Sequence, residues 1–343
     1  MPLKEAELDA LAVRALVGAG LAHADAVDAA RILVMADLFG LHTHGLSRIE
    51  SYAERLRSGG INPNARVRVE RVAPAMAKVD GDNGVGPLVG LRALEAATQL
   101  ARETGVGIAL ARSSNHFGPV SPYNYLAAQG GFASMACSNA SVTIAPWGGR
   151  EGRFGNSPIG FGVPNPRGQP FLLDMAMSVV ARAKIRNALK RGERIPDTWA
   201  TDRDGNPTSD PKAALDGFLL AIGGHKGYGL ALVVDLFAGL LSGAAYLTHV
   251  KSWLDEPDEP QDLGHFFLLF DTARLGPADW LAQRMGDFCA ILRATPPADP
   301  GKPVLVPGDI EIARMQRHQR DGVELEPGLQ QKLEAIAAGS QRR

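Results

Sequence analysis

The chain has 343 residues, too many for one simple core, so two or three lobes are expected. Its 36 basic and 37 acidic residues balance to a net charge of −1, and it is 45% hydrophobic and 21% charged, an ordinary composition for a soluble globular protein. No basic field favours nucleic acid, and no charge block reads as a tail.

The N-terminus, MPLKEAELDALAV, carries acidic residues and no long apolar run, so it does not read as a signal peptide. An amphipathic helix is expected from Glu5 to about Gly18. Asp25 reads as the cap of a second helix that runs to a stop at Gly40. Next comes GLHTHGLSRIESY, from Gly40 to Tyr52, the densest chemistry in the chain. Ser47 and Glu50 have the spacing of a capping box, which predicts a helix from Arg48 to about Arg57. That puts His44 just before an electropositive helix N-terminus and Arg48 in its first turn. An arginine fork suits a carboxylate, and an imidazole suits proton exchange near neutral pH. The bland readings are a surface histidine and a solvated arginine; an HxH pair can also bind metal. A metal site from His42, His44 and His116 lacks a tight acid or cysteine ligand set.

Asn62-Pro63-Asn64 marks a turn and a lobe boundary. Strands are expected at Val67 to Glu70 and Met76 to Val79, then a glycine cluster, Gly81 to Gly90, and a helix to about Glu103. The spacing is GxGxxxG rather than GxGxxG, and the next strand, Val106 to Ala111, ends in Arg112 rather than an acid. Both argue against a Rossmann fingerprint. SSNHFG follows, with Asn115 and His116 at a strand end, where open sheets place active-site groups; the plain alternative is a capping cluster with His116 incidental. A helix through Tyr125 to Gln129 and a strand, Phe132 to Cys137, come next. Cys137 and the distant Cys289 sit in apolar contexts, which fits reduced core thiols and a cytoplasmic compartment.

The Gly/Pro/Asn-rich run from Ala145 to Pro166 implies a constrained backbone near a ligand or another backbone. Phe171 to Asp174 reads as a buried strand ending in an acid, which could bond a ribose hydroxyl or cap a helix. A helix through Lys184 to Arg191 follows. Residues 195–216 form a long polar excursion, the kind that is functional or reaches a partner subunit. GGHKGYG opens the most apolar stretch, Tyr228 to Leu247, which holds Asp235 and three glycines and reads as a buried helix rather than a membrane span. Lys226 at its N-terminus suits a phosphate or carboxylate, without P-loop spacing. An acidic loop from Trp253 to Gln261, a strand His265 to Phe270, a helix Pro277 to Leu292, the LVPGD turn and two closing helices, about Ile310 to Gln319 and Pro327 to Ala337, complete the chain.

Taken in order, LHTHGLSRIESY, NHFG, FGNSPIGFGVP, DMAMS, IPDTWATDRDG, GHKGYGLAL and the terminal PGD resemble the type-2 malate/L-lactate dehydrogenase family, which includes malate, sulfolactate, ureidoglycolate and diketogulonate dehydrogenases and a ketimine-reductase branch. The resemblance implies an α/β protein with a non-Rossmann, sulfolactate dehydrogenase-like fold: a largely antiparallel central sheet with flanking helices and helical N- and C-terminal parts. It implies a helical substrate-side domain of residues 1–65 plus 305–343, and an NAD(P)-binding sheet domain of 66–178 plus 217–304. Residues 179–216 would be a helix and extended arm, a candidate dimer contact. NAD or NADP is the implied cofactor, a small carboxylate the substrate, and a homodimer the assembly, with no nucleic acid or membrane partner.

By position, the resemblance makes His44 the general acid/base, with Thr43 beside it, and Arg48 the carboxylate clamp. His116 would be a second substrate-side group, to which some relatives assign the proton transfer, with Asn115 beside it. His44, Asp174, Met175, Ala176, His225, Lys226, Gly308 and Asp309 would meet the cofactor. The ketimine-reductase branch tends to carry an aspartate near Lys184, and SHSHG where this chain has LHTHG. The departures favour a 2-hydroxy acid over the alternative, NADPH-dependent reduction of a cyclic imino acid such as piperideine- or pyrroline-2-carboxylate.

Overall fold

The computed structural model describes residues 2–339. Leu8, Leu11, Ala12, Ala15 and Leu16 recur at helical spacing and bury one face of α1 (Glu5–Gly18) against α2 (His23–Leu38). A short 3₁₀ passage, His42–His44 and Leu46–Arg48, leads into α3 (Ile49–Ser58), which stops at Gly59 in the left-handed conformation, φ 93°. Then come β1 (Arg68–Ala73), β2 (Met76–Asp80), α4 (Gly86–Thr104), β3 (Val106–Ser114), α5 (Ser121–Gln129), β4 (Phe132–Ser138), β5 (Val142–Ile144), β6 (Phe154–Gly155), β7 (Ile159–Val163) and β8 (Phe171–Met175). The rest is α6 (Arg182–Arg191), β9 (Ala200–Thr201), α7 (Pro211–Asp216), β10 (Phe218–Leu219), α8 (His225–Val234), β11 (Leu263–Asp271), α9 (Trp280–Arg293), α10 (Asp309–Asp321) and α11 (Leu329–Ala337).

The main sheet has seven strands in the order β1-β2-β3-β11-β4-β7-β8, and only β2 and β3 run parallel. This is the largely antiparallel, non-Rossmann sheet expected above. A four-stranded sheet, β6-β5-β10-β9, stands beside it. One face of the main sheet packs on α4 and α5 through Val89, Leu94, Tyr123 and Phe267; the other meets the turn of residues 235–240 after α8, through Ala238, in a core shared with Ile185, Ala214 and Ala231 of α6, α7 and α8. The helices α1, α2, α3, α10 and α11 share a third core around Leu16, Leu33, Ile49, Ile312 and Leu333. Each such Leu or Ile, fully buried, contributes roughly 1.5–3 kcal/mol.

Three local expectations are corrected. Helix α2 starts at His23 with Ala22 as its N-cap, so Asp25 lies in the first turn, where it complements the helix dipole instead of capping. Ser47 and Glu50 form no capping box. The Ser47 hydroxyl donates to the His42 carbonyl at 2.6 Å, Glu50 pairs with Lys332 at 3.0 Å, and the α-helix begins only at Ile49. The 3₁₀ turn through Leu46–Arg48 takes up the residues the box would have used. Finally, the apolar stretch after Tyr228 is not a buried helix. It is α8 followed by a π-helical turn, Asp235–Leu240. Ala231, Val234 and Ala238 are buried, while Leu230, Val233, Leu236, Phe237, Leu240 and Leu241 remain exposed. One face packs inward, and the opposite face is also apolar with no cover from the described residues. No helix among them is long and apolar enough to cross a membrane.

Candidate active site

A buried carboxylate organises the loop between α2 and α3. Asp37, 2% exposed, accepts from His42 Nδ1 at 2.8 Å through one oxygen and from the Leu46 main-chain N–H at 2.7 Å through the other. The hydrogen bond to Asp37 holds the His42 imidazole above its ordinary pKa. Gly45 is required here: a Cβ would lie 2.3 Å from the Asp37 carboxylate. The two histidines of HTH therefore separate. His42 turns toward Asp37, and His44 turns to a cavity of about 280 Å³.

That cavity is walled by His44, His116, Phe117, Ser121, Asn139, Ser141, Asn156, Asp174, Ala176, Ala181, Trp253 and Gln261, among others. The His44 and His116 rings stack with centroids 5.7 Å apart and planes 29° apart. Thr43 Oγ1 lies 2.9 Å from His44 Nδ1, and the Thr43 carbonyl accepts from Arg48 Nε at 2.7 Å. The loop thus orients the imidazole and the guanidinium together. Among the described residues the two terminal nitrogens of Arg48 carry no hydrogen bond. Burial, and then the Arg48 charge, push the His44 imidazole down to about 4, so it is neutral at pH 7 and able to accept a proton. Burial and the Arg48 charge also hold His116 well below the ordinary histidine range.

His116 follows β3 and is held at three points. Its Nδ1 lies 2.8 Å from the Tyr52 hydroxyl, which donates to the His116 carbonyl at 2.8 Å, while the His116 N–H donates to Gln261 Oε1 at 3.2 Å. The Gly118 N–H also donates to Nδ1, at 3.4 Å, so this nitrogen is held toward the protein by two neighbours. Sequence reasoning passed over Tyr52. Its position four residues after Arg48 was the available signal, since i and i+4 share a face in the helix the spacing predicts.

The other expected residues divide. Asn115 is fully buried, but its amide donates to Asn83 Oδ1 and the Gly84 carbonyl, both at 2.9 Å. It braces a turn with left-handed Asp82 and Asn83 and does not line the cavity. Asp174 and Ala176 line it, and Met175 packs against the core behind. Asp174 Oδ2 accepts from Ser121 N and Oγ, both at 2.8 Å, so it satisfies a free N–H at the start of α5 rather than capping the helix that follows it. Burial raises its carboxyl pKa. Gly308, at φ 100°, brings the terminal turn against β8, where Leu172 N donates to the Pro307 carbonyl at 3.1 Å. Asp309 accepts from Val306 N and pairs with Arg293 at 2.6 Å. Neither lines the cavity, whereas Glu311 in the same first turn of α10 does. His225 and Lys226 stand exposed at the start of α8, apart from the cavity wall, with His225 edge-on to Trp147 at 5.9 Å.

The family profile described as malate/L-lactate dehydrogenase matches residues 3–334. The chain belongs to that family. It is 34% identical to a malate dehydrogenase of Pyrococcus horikoshii over 333 residues, 95% of this chain and 91% of that one. It is 36% identical over 336 residues to a (2R)-3-sulfolactate dehydrogenase (NADP(+)) of Chromohalobacter salexigens, with 98% and 97% covered. The solved sulfolactate dehydrogenase of Methanocaldococcus jannaschii superposes with a TM-score of 0.91 at 34% identity, covering 98% of this chain and 97% of that one. Family membership agrees with the antiparallel sheet and with the failure of the dinucleotide fingerprint.

Proposed function

We propose that this chain is an NAD(P)-dependent dehydrogenase that interconverts a small 2-hydroxy acid and its 2-oxo acid. The observation that carries the reading is the pairing of a neutral, cavity-lining His44 with Arg48 through Thr43. The cavity residues fit a nicotinamide: Leu41, Phe117, Pro158 and Ala176 offer an apolar wall to a flat ring, and Ser141 and Asn156 can bond its carboxamide. Asp174 and Ala176 would hold the cofactor from that wall. Met175, His225, Lys226, Gly308 and Asp309 are proposed further out, at its phosphates and ribose. When bound, the nicotinamide supplies the hydride chemistry.

The chain's own residues supply position and a proton site. Arg48 binds the substrate carboxylate with its terminal nitrogens and sets C2 of the acid beside His44. His44 takes the hydroxyl proton in oxidation and returns one to the alkoxide in reduction. His116, held by Tyr52 and Gln261, bonds the same oxygen from the other side. The bound carboxylate offsets the Arg48 charge, the lesser of the two causes that hold the His44 pKa down, so it favours the protonated imidazole that forms as the hydroxyl proton moves. The exposed stripe from Leu230 to Leu241 supports a homodimer, and the two buried, unpaired cysteines support a cytoplasmic setting.

The pH dependence tests the proton role. kcat/KM reports free-enzyme groups. In oxidation it is expected to stay level as the pH falls through 6.5, because free His44 titrates only at about 4. A tenfold fall per pH unit that sets in near 6.5 would contradict a desolvated His44 as the base.

A further inference from the structure

The loop of residues 251–261 packs over His116, and one buried side chain holds it from beneath. Arg55 lies on α3, seven residues after Arg48 and three after Tyr52, and is 1% exposed. Its Nη1 donates to the carbonyls of Trp253 at 3.0 Å and Glu256 at 2.9 Å, and its Nη2 donates to the carbonyl of Glu259. The guanidinium also stands 4.7 Å from the Trp253 ring centroid. Ser58, one turn on, donates to the Pro257 carbonyl at 2.7 Å. A buried guanidinium commonly meets a carboxylate. Here it binds main-chain carbonyls of one loop, and Asp258, Glu256 and Glu54 offset its charge from further away. Without Arg55 the Trp253 and Glu259 carbonyls would face the interior unpaired, which the loop could relieve only by lifting off.

Both ends of this strap touch His116. The Trp253 ring lies 5.6 Å from the His116 ring and meets Tyr52 edge-on at 5.3 Å. Gln261 accepts from the His116 N–H, and its amide donates to Ser141 Oγ at 3.1 Å and the Lys251 carbonyl at 3.3 Å. Trp253, Gln261 and Ser141 are all cavity wall.

We propose that Arg55 is a positioning residue for the reaction, pinning the strap so that Trp253 and Gln261 hold His116 face to face with His44. Its effect on turnover rests on the dehydrogenase reading; the state of the strap does not.

The test uses full-length Arg55→Met, Arg55→Lys, Trp253→Phe and the double variants. In Arg55→Met, kcat/KM for the hydroxy acid is expected to fall about 10²-fold, the loss typical of a misplaced reacting group, with a much smaller change in cofactor Kd. Arg55→Lys, which keeps the charge and one set of donors, recovers part of that loss. In a Trp253→Phe background either Arg55 change costs little more, because both act through the same contact. Trypsin is expected to cut after Lys251 faster in Arg55→Met than in wild type, and the share of the tryptophan emission that Trp253→Phe removes to shift to longer wavelength. Should Arg55→Met not fold, the Arg55→Lys and Trp253→Phe cycle gives the same answer. Wild-type kcat/KM in a folded Arg55 variant, or losses that add fully with Trp253→Phe, would overturn the proposal. If wild type turned over no hydroxy acid, the dehydrogenase reading would fail alone, and trypsin and emission would still decide whether Arg55 holds the strap.

Discussion

His44→Ala is expected to lower kcat by about 10²–10⁴-fold, the usual contribution of a positioned general base, while NAD(P)H binds with wild-type affinity. The imidazole lines the cavity and is oriented by Thr43 Oγ1 at 2.9 Å, so its removal takes away the proton site without cutting a strand or a core contact. The fold tolerates the change because the loop is anchored elsewhere, by Asp37 on His42 and on the Leu46 N–H. Stopped-flow absorbance gives kcat, and quenching of protein fluorescence by NAD(P)H gives the affinity. A parallel His116→Ala variant separates the two histidines: its hydroxyl-bonding role lowers kcat/KM, while the proton step stays with His44. Wild-type turnover in His44→Ala would remove it as the acid/base.

Arg48→Lys is the second large effect, and it acts on binding. The guanidinium spends Nε on the Thr43 carbonyl and keeps two terminal nitrogens for a carboxylate in a fixed fork. Lysine keeps the charge but loses both the fork and the Thr43 contact. A hydrogen bond to a charged group is worth about 1.5–3 kcal/mol, so KM for the carboxylate substrate is expected to rise roughly 10–10²-fold, with a smaller change in kcat. Initial-rate kinetics over a range of substrate concentration measure both. An unchanged KM would contradict the clamp.

Much of the fold was legible because its signals are local. Leu8, Leu11, Leu16 and their spacing mark α1, Val106 to Ala111 reads as a strand, and Gly59 after Ser58 ends α3. The antiparallel order of the sheet was not legible from periodicity, since β11 inserts between β3 and β4 from more than a hundred residues away in the chain. It came from the family resemblance. The site shows the same division. His44, Arg48 and His116 are readable as residue types in a short motif. The Ser47 box failed because the hydroxyl found the His42 carbonyl first, a contact set by the Asp37 anchor. The turn-bracing role of Asn115 depends on Asn83, and the place of Trp253 depends on Arg55, and neither pairing leaves a mark in sequence spacing. The exposed face of α8 was misread as core because an apolar stripe looks the same whether its cover is the same chain or another one.

The most direct measurement is the absorbance of reduced nicotinamide when the protein is mixed with NADH or NADPH and a panel of pyruvate, oxaloacetate, ketopantoate, sulfopyruvate and diketogulonate, with a cyclic imino acid in the same plate. Consumption of the reduced cofactor with at least one 2-oxo acid, abolished in His44→Ala, is the expected result. Consumption with the cyclic imine alone, or none with any of the oxo acids while the cofactor still binds, would contradict a 2-hydroxy acid dehydrogenase.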